Sequence, residues 1–379
     1  MNATRLKIEQ RHRQDIPHLA SLQDFTCVRD REIDPVAVAR NPNLSLYCLD
    51  EASRRAVFVE LPDQVDLTKA AFVYLTQFEQ AQNLVTMPFE TFITVADSLP
   101  AIKQPIFVYI TGRSGSTLLS HVFNASGSVA SLAEPDVMTQ FVHLRRHSPV
   151  EADPALTALA RSAMRFLFRS NQAMDRQAQA VKLRSEGLQV MDFFQECFPQ
   201  AKNLFLYRDA IGFATSFHRI FRLADMPEVS EASIWEDYFE TVFGVSFSSS
   251  RGYLDQGQKQ ISIPEFLTLW WVASVEWYLA QHARGVPALA VRFADIVNKG
   301  PAVIEEVFDY CALESEGIKR GLQAFSYDAQ AGTLLGRENP LEGNKRVLRQ
   351  EQIASIHAIL KRHPTINDPD YIVPATLKL

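Results

Sequence analysis

From residue 106 onward the apolar positions fall into a repeating rhythm. Short β-branched or aromatic runs alternate with longer stretches whose apolar residues return every three or four positions. IFVYIT (106–111), AVKLR (180–184), NLFLYR (203–208) and PALAVRF (287–293) are the short runs, and each predicts a strand. LLSHVFNAS after the first run, LQVMDFFQECF (188–198) and the segment 263–283 predict helices between them. Strands separated by helices imply βαβ crossovers and a three-layer α/β arrangement, a parallel sheet with helices on both faces. Such sheets bind ligands at the carboxyl ends of their strands. Before this rhythm begins, RAVFVEL (55–61) predicts a strand, and residues 66–98 have mixed apolar spacing that suits one or two helices. Pro62 and SLPAIKQP (98–105) punctuate this part of the chain. The expected division is an N-terminal mixed α/β extension, 1–100, followed by an α/β domain, 101–379.

Composition narrows the partners. Apolar residues make up 47% of the 379, charged residues 22%, and the formal charge is −6. These values exclude wholesale disorder and leave no bulk positive field to draw in nucleic acid or an anionic membrane. An anionic ligand therefore needs a local site. No apolar run reaches eighteen residues, and the first twenty residues carry charges throughout, unlike a signal peptide. Cys27, Cys48, Cys197 and Cys311 are scattered without CxxC spacing, and no His/Asp/Glu cluster marks a metal site. The expectation is a reduced, cytoplasmic, metal-independent protein.

The clearest local chemistry follows the strand IFVYIT. Gly112 and Gly115 permit positive φ in the turn Thr111–Thr117, so that successive amides can converge on an anion at the start of the next helix. Ser114, Ser116 and Thr117 add hydroxyls, and Arg113 adds a fixed charge. The glycines stand three apart and no Lys precedes the Ser/Thr pair, so this is neither a Walker A loop nor a dinucleotide fingerprint. An ordinary capped strand-to-helix turn is the bland reading of the same residues. A second anchor lies at the end of NLFLYR, where Arg208 closes a strand and Ser216 follows eight residues later on a helix. An Arg in that place can fork onto a phosphate.

The loop TGRSGSTLL resembles the phosphosulfate-binding loop of sulfotransferases that use 3′-phosphoadenosine 5′-phosphosulfate (PAPS), in the Arg form of the tyrosylprotein, carbohydrate and bacterial branches. The resemblance implies a P-loop-type fold, with Gly112, Arg113, Ser114, Gly115, Ser116 and Thr117 on the 5′-phosphosulfate. It places Arg208 and Ser216 on the 3′-phosphate, where Ala210 stands in place of the usual Pro. AVRFADI (290–296) is similar to a further family segment, with Ala294 where Glu is usual. A late basic loop closes over the 3′-phosphate in the family, which makes Lys345 and Arg346 candidates here.

The resemblance also implies a mechanism. Glu134, in SVASLAEPDV, corresponds to the general base, and Lys182 to the cation that meets the bridging oxygen. Sulfuryl transfer removes a proton from the acceptor and neutralises charge on the departing oxygens. Read without the family, Glu134 is a helix N-terminal acid and Lys182 a solvated strand end. Arg184, two residues past Lys182, shares its face in an extended strand. His218 is a weaker base, His121 a packing residue, and Trp270, Trp271 and Trp277 a core stripe. The acceptor expected is a small alcohol, phenol or amine, walled by 135–175 and the aromatic-rich 222–262. Residues 1–100, outside the resemblance, are expected to cap the site, line the acceptor pocket or form a homodimer contact. A nucleotide-dependent kinase predicts a Walker A Lys and a Walker B acid, both missing, and a non-catalytic nucleotide-binding module predicts loss of Glu134 or Lys182.

Overall fold

The computed structural model describes residues 2–13, 18–147, 154–170, 173, 175–244, 250–326, 328 and 348–379. Its centre is a five-stranded all-parallel sheet of β6 (Pro105–Ile110), β7 (Val129–Ala133), β8 (Ala178–Lys182), β9 (Lys202–Tyr207) and β12 (Leu289–Arg292). The order β12-β9-β6-β8-β7 puts the IFVYIT strand in the middle. Side chains of β6 alternate between two cores, as a sheet covered on both faces requires. Phe107 and Tyr109 join one, while Ile106, Val108 and Ile110 join the other. The helix Ile263–Ala283 is buried over most of its length and starts at a Ser262/Glu265 capping box.

The N-terminal part is a second five-stranded sheet, antiparallel throughout, of order β2-β1-β5-β4-β3. Its strands are β1 (Ala3–Arg11), β2 (Phe25–Ile33), β3 (Leu44–Asp50), β4 (Arg55–Glu60) and β5 (Asn83–Pro88). Phe58 of β4 and Phe92 of the helix Phe89–Asp97 pack on Phe166, with ring centroids 5.1 and 4.9 Å away. The two sheets thereby share one hydrophobic core. A short ribbon of β10 (Val229–Glu231) and β11 (Gln260–Ser262) lies apart from both.

The strands expected at 55–61, 106–111, 180–184, 203–208 and 287–293 all form, with ends shifted by a few residues. The segment 66–98 differs from the helical expectation, because strand β5 separates the helices Val73–Gln80 and Phe89–Asp97. NLVTMP is an inner strand paired on both sides, so its apolar run has no period to distinguish it from a buried helix. Among the described residues no helix is long and apolar enough to cross a membrane.

Candidate functional site

Four adjacent strands of the parallel sheet deliver polar groups to its carboxyl edge. The central strand β6 is followed by the turn Thr111–Gly115, in which Gly112, Arg113 and Gly115 have φ of +95°, +54° and +81°. Successive residues of this kind turn their amides toward one side and form an anion-binding concavity. Gly115 is required twice over, since an added Cβ would also lie 3.2 Å from the Phe293 ring. Ser114 is wholly buried and its Oγ has no hydrogen-bond partner. Ser116 and Thr117 are buried in the first turn of the helix Ser116–Ser126.

Arg208 follows β9. Its guanidinium lies 4.5 Å over the Phe293 ring, and its buried Nε has no hydrogen-bond partner. Nη1 makes only a long bond, 3.5 Å, to the carbonyl of Arg113. Burial pulls the Arg208 pKa below its ordinary value, against the charge that an arginine keeps. The neighbouring Asp209 charge opposes that shift, while its Oδ1 accepts the Gly212 N–H at 2.6 Å and caps the next helix. Arg113 Nε donates to Ser216 Oγ at 2.8 Å, so the glycine loop and the second anchor meet across 103 residues of sequence. Phe293, from the AVRFADI segment, supports both by packing under Arg208 and against Gly115.

The other two strands, β7 and β8, end side by side. Ala133 pairs with Lys182, and the Glu134 N–H donates to the Lys182 carbonyl at 2.7 Å. Glu134 holds φ of +55°, a conformation costly for a residue with a Cβ and one that concentrates at functional positions. Glu134 Oε1 lies 2.6 Å from Lys182 Nζ, which also donates to Thr117 Oγ1 at 3.3 Å. The Lys182 side chain is 2% exposed, so its strand does not end in solvent. Glu134, bonded to Lys182, does not cap the helix behind Pro135.

A second ion pair stands behind the first. β8 ends at Lys182, and Arg184 turns away to clasp the buried Asp136, Nε to Oδ1 and Nη2 to Oδ2, both at 2.8 Å. Asp136 Oδ2 also accepts the Ala20 N–H at 2.8 Å and Arg13 Nη2 at 3.2 Å. Both guanidiniums also pack on the Tyr74 ring, Arg13 at 4.7 Å and Arg184 at 4.1 Å from its centroid. Glu186, 2% exposed, has a pKa pushed up to about 7 by burial, with Arg184 opposing and Asp136 and Glu134 adding to the rise.

Asp136, Glu186 and the individual residues of 1–100 that come near the site were not singled out from the sequence, which pointed to 1–100 only as a cap, a pocket lining or a homodimer contact. One signal was present, since Glu134/Asp136 and Lys182/Arg184 share a spacing of two. His121 lies one turn past Thr117, with its pKa lowered by burial and by the Lys182 charge. His218 is buried and bonded to Glu228 at 2.9 Å. Trp270 and Trp271 are core residues as expected, and Trp271 Nε1 donates to the Arg208 carbonyl. Of the aromatics in 222–262, Trp235 and Phe239 are buried against Phe266, while Tyr238 and Tyr253 are half-buried. Lys345 and Arg346 lie outside the described residues.

Three solved structures similar to this chain are sulfotransferases. Sulfotransferase STF9 from Mycobacterium avium shares 14% identity over 72% of this chain and 80% of its own, with a TM-score of 0.37. Sulfotransferase STF1 from Mycobacterium tuberculosis shares 15% over 64% and 82%, with a TM-score of 0.35. A sulfotransferase from Alicyclobacillus acidocaldarius shares 15% over 55% and 81%, with a TM-score of 0.32. No family model matches the chain, and no curated protein matches its sequence. Among the described residues no group of three His, Cys, Asp or Glu side chains is arranged to hold a metal ion.

Proposed function

We propose that this protein transfers a sulfuryl group from PAPS to a hydroxyl or amine of a small organic acceptor. One observation carries the reading, the convergence of an anion-binding turn, two arginines and a Lys–Glu pair on neighbouring strand ends. Gly112, Arg113, Ser114, Gly115, Ser116 and Thr117 hold the 5′-phosphosulfate. Arg208 and Ser216 hold the 3′-phosphate. The partnerless Ser114 Oγ and Arg208 Nε fit such a ligand, because each is a buried donor with a bond left to make. Lys345 and Arg346 join the donor site by the family resemblance alone.

The donor supplies the sulfuryl group, and the chain's residues do the rest. Lys182 lies within reach of Thr117 at the loop and of Glu134 at the neighbouring strand. It is therefore placed to neutralise charge on the departing phosphate oxygen, and its shift toward that oxygen frees Glu134. Glu134 then takes the acceptor's proton as the nucleophile advances in line. Arg113, tethered by Ser216, counters charge on the sulfuryl and phosphate oxygens.

A thermal-shift titration tests the donor site. Adenosine 3′,5′-bisphosphate is expected to raise the melting temperature at lower concentration than AMP or ATP, by mass action on the folded state. Equal response to the bisphosphate and AMP, or an unchanged preference in Arg208→Ala, rejects the assignment. Turnover of labelled PAPS with an alcohol, phenol and amine panel tests the reaction itself.

A further inference from the structure

Any acceptor that gives its proton to Glu134 must bring the reacting atom within about 3 Å of that carboxylate. Besides Lys182 and Thr117, the first hundred residues contribute an aromatic ring to this neighbourhood. The Phe72 ring lies 5.5 Å from Lys182 Nζ, which itself touches Glu134. Phe72 is half-buried, so part of its surface remains open, and its centroid is 6.0 Å from that of Tyr74. Tyr74 is buried and already engaged by Arg13 and Arg184, which leaves Phe72 as the ring with free surface.

The position of Phe72 is fixed rather than incidental. Asn124, on the helix that begins at the glycine loop, donates through Nδ2 to the carbonyls of Thr68 and Ser131, at 2.8 and 2.9 Å. Its Oδ1 accepts the Ser131 N–H at 2.8 Å. One side chain thus ties the 67–72 segment of the N-terminal unit to the strand that presents Glu134. The Arg13–Asp136–Arg184 cluster makes a second tie two residues past Glu134.

We infer that Phe72 is a specificity-determining residue of the acceptor site, selecting acceptors whose hydroxyl or amine sits on a flat apolar ring. An acceptor ring packed against the open part of Phe72, beside the face that Lys182 Nζ covers, would lie next to the Lys182–Glu134 pair, whereas a polyol would bury hydroxyls against carbon without partners. The inference rests on the proposed transfer reaction, and its test separates the two.

Equilibrium dialysis measures binding of 2-naphthol and of N-acetylglucosamine to the full chain, with and without adenosine 3′,5′-bisphosphate. Wild-type protein is expected to bind 2-naphthol and to prefer it over N-acetylglucosamine. Phe72→Ala should weaken 2-naphthol binding about tenfold or more, and Phe72→Leu by less, with bisphosphate binding within about twofold of wild type in both. Melting curves check that both variants fold. Absence of 2-naphthol binding in either condition, an equal or stronger affinity for N-acetylglucosamine, or unchanged binding in both folded variants overturns the role of Phe72. Failure of the bisphosphate itself to bind wild-type protein strikes the donor assignment instead.

Discussion

Two carboxylate–cation pairs stand two residues apart on the same two strand ends, and the protein has built them differently. Asp136 is saturated, with a two-pronged arginine, a second arginine and a backbone N–H. Glu134 has one charged partner at 2.6 Å, on a lysine that also touches the glycine loop. A planar guanidinium clasping a carboxylate is hard to exchange, whereas a lysine ammonium swings between partners as a point charge. The first pair is a structural joint between the N-terminal sheet and the parallel sheet. The second is the more exchangeable pair, which suits the proton removal proposed for Glu134.

Substitutions at the two carboxylates set the contrast at its largest. Glu134→Gln keeps a group that can accept from Lys182 but cannot take a proton. Transfer from PAPS should fall about 10²–10⁴-fold with the melting temperature little changed, as read from labelled product and a melting curve. Asp136→Ala should do the reverse first and damage the fold, since it strands two arginines. A loss of about 3–5 kcal/mol in denaturant unfolding is expected. Were Asp136→Ala as stable as the parent, or Glu134→Gln as active, the two pairs would not differ in kind.

Glu186 sharpens the comparison through pH. Its folded-state pKa of about 7 lies above the unfolded value, so the folded chain binds the extra proton between the two. Stability from this group is present at low pH and is lost as pH rises through about 7. Glu186→Gln should therefore gain on wild type from pH 5 to pH 8, by on the order of 2–3 kcal/mol. A melting-temperature difference that is flat across this range would refute the burial argument. Ser216→Ala is the smallest change. It releases Arg113 Nε and should weaken bisphosphate binding about three- to tenfold, measured by calorimetry.

Parts of this site were legible in the chain because they are local. A strand, a turn rich in glycine and hydroxyls and a helix occupy consecutive residues, so the turn at 111–117 appears as a motif. Arg208 and Ser216 are likewise one strand end and one helix apart. The N-terminal sheet was not legible for identifiable reasons. β1 carries register shifts at Arg5/Leu6 and Ile8/Gln10, which interrupt the alternation of apolar and polar residues. β2 is an edge strand whose Val28–Glu32 stretch is exposed and mostly charged, a composition that protects an edge but reads as loop.

The sequence by itself determined the alternating α/β rhythm, the turn at 111–117 and the residue types able to meet a sulfated, phosphorylated ligand. It did so because each rests on neighbours within a few residues. Only the tertiary structure decided which cation meets which carboxylate, since Lys182 and Arg184 differ in partner through where β8 stops. It also decided that the first hundred residues reach the site. Asn124, Asp136 and the shared core around Phe166 bring Phe72 beside Lys182. Long-range contacts of this kind depend on strand order, on where strands end and on sheet packing, none of which a local pattern encodes.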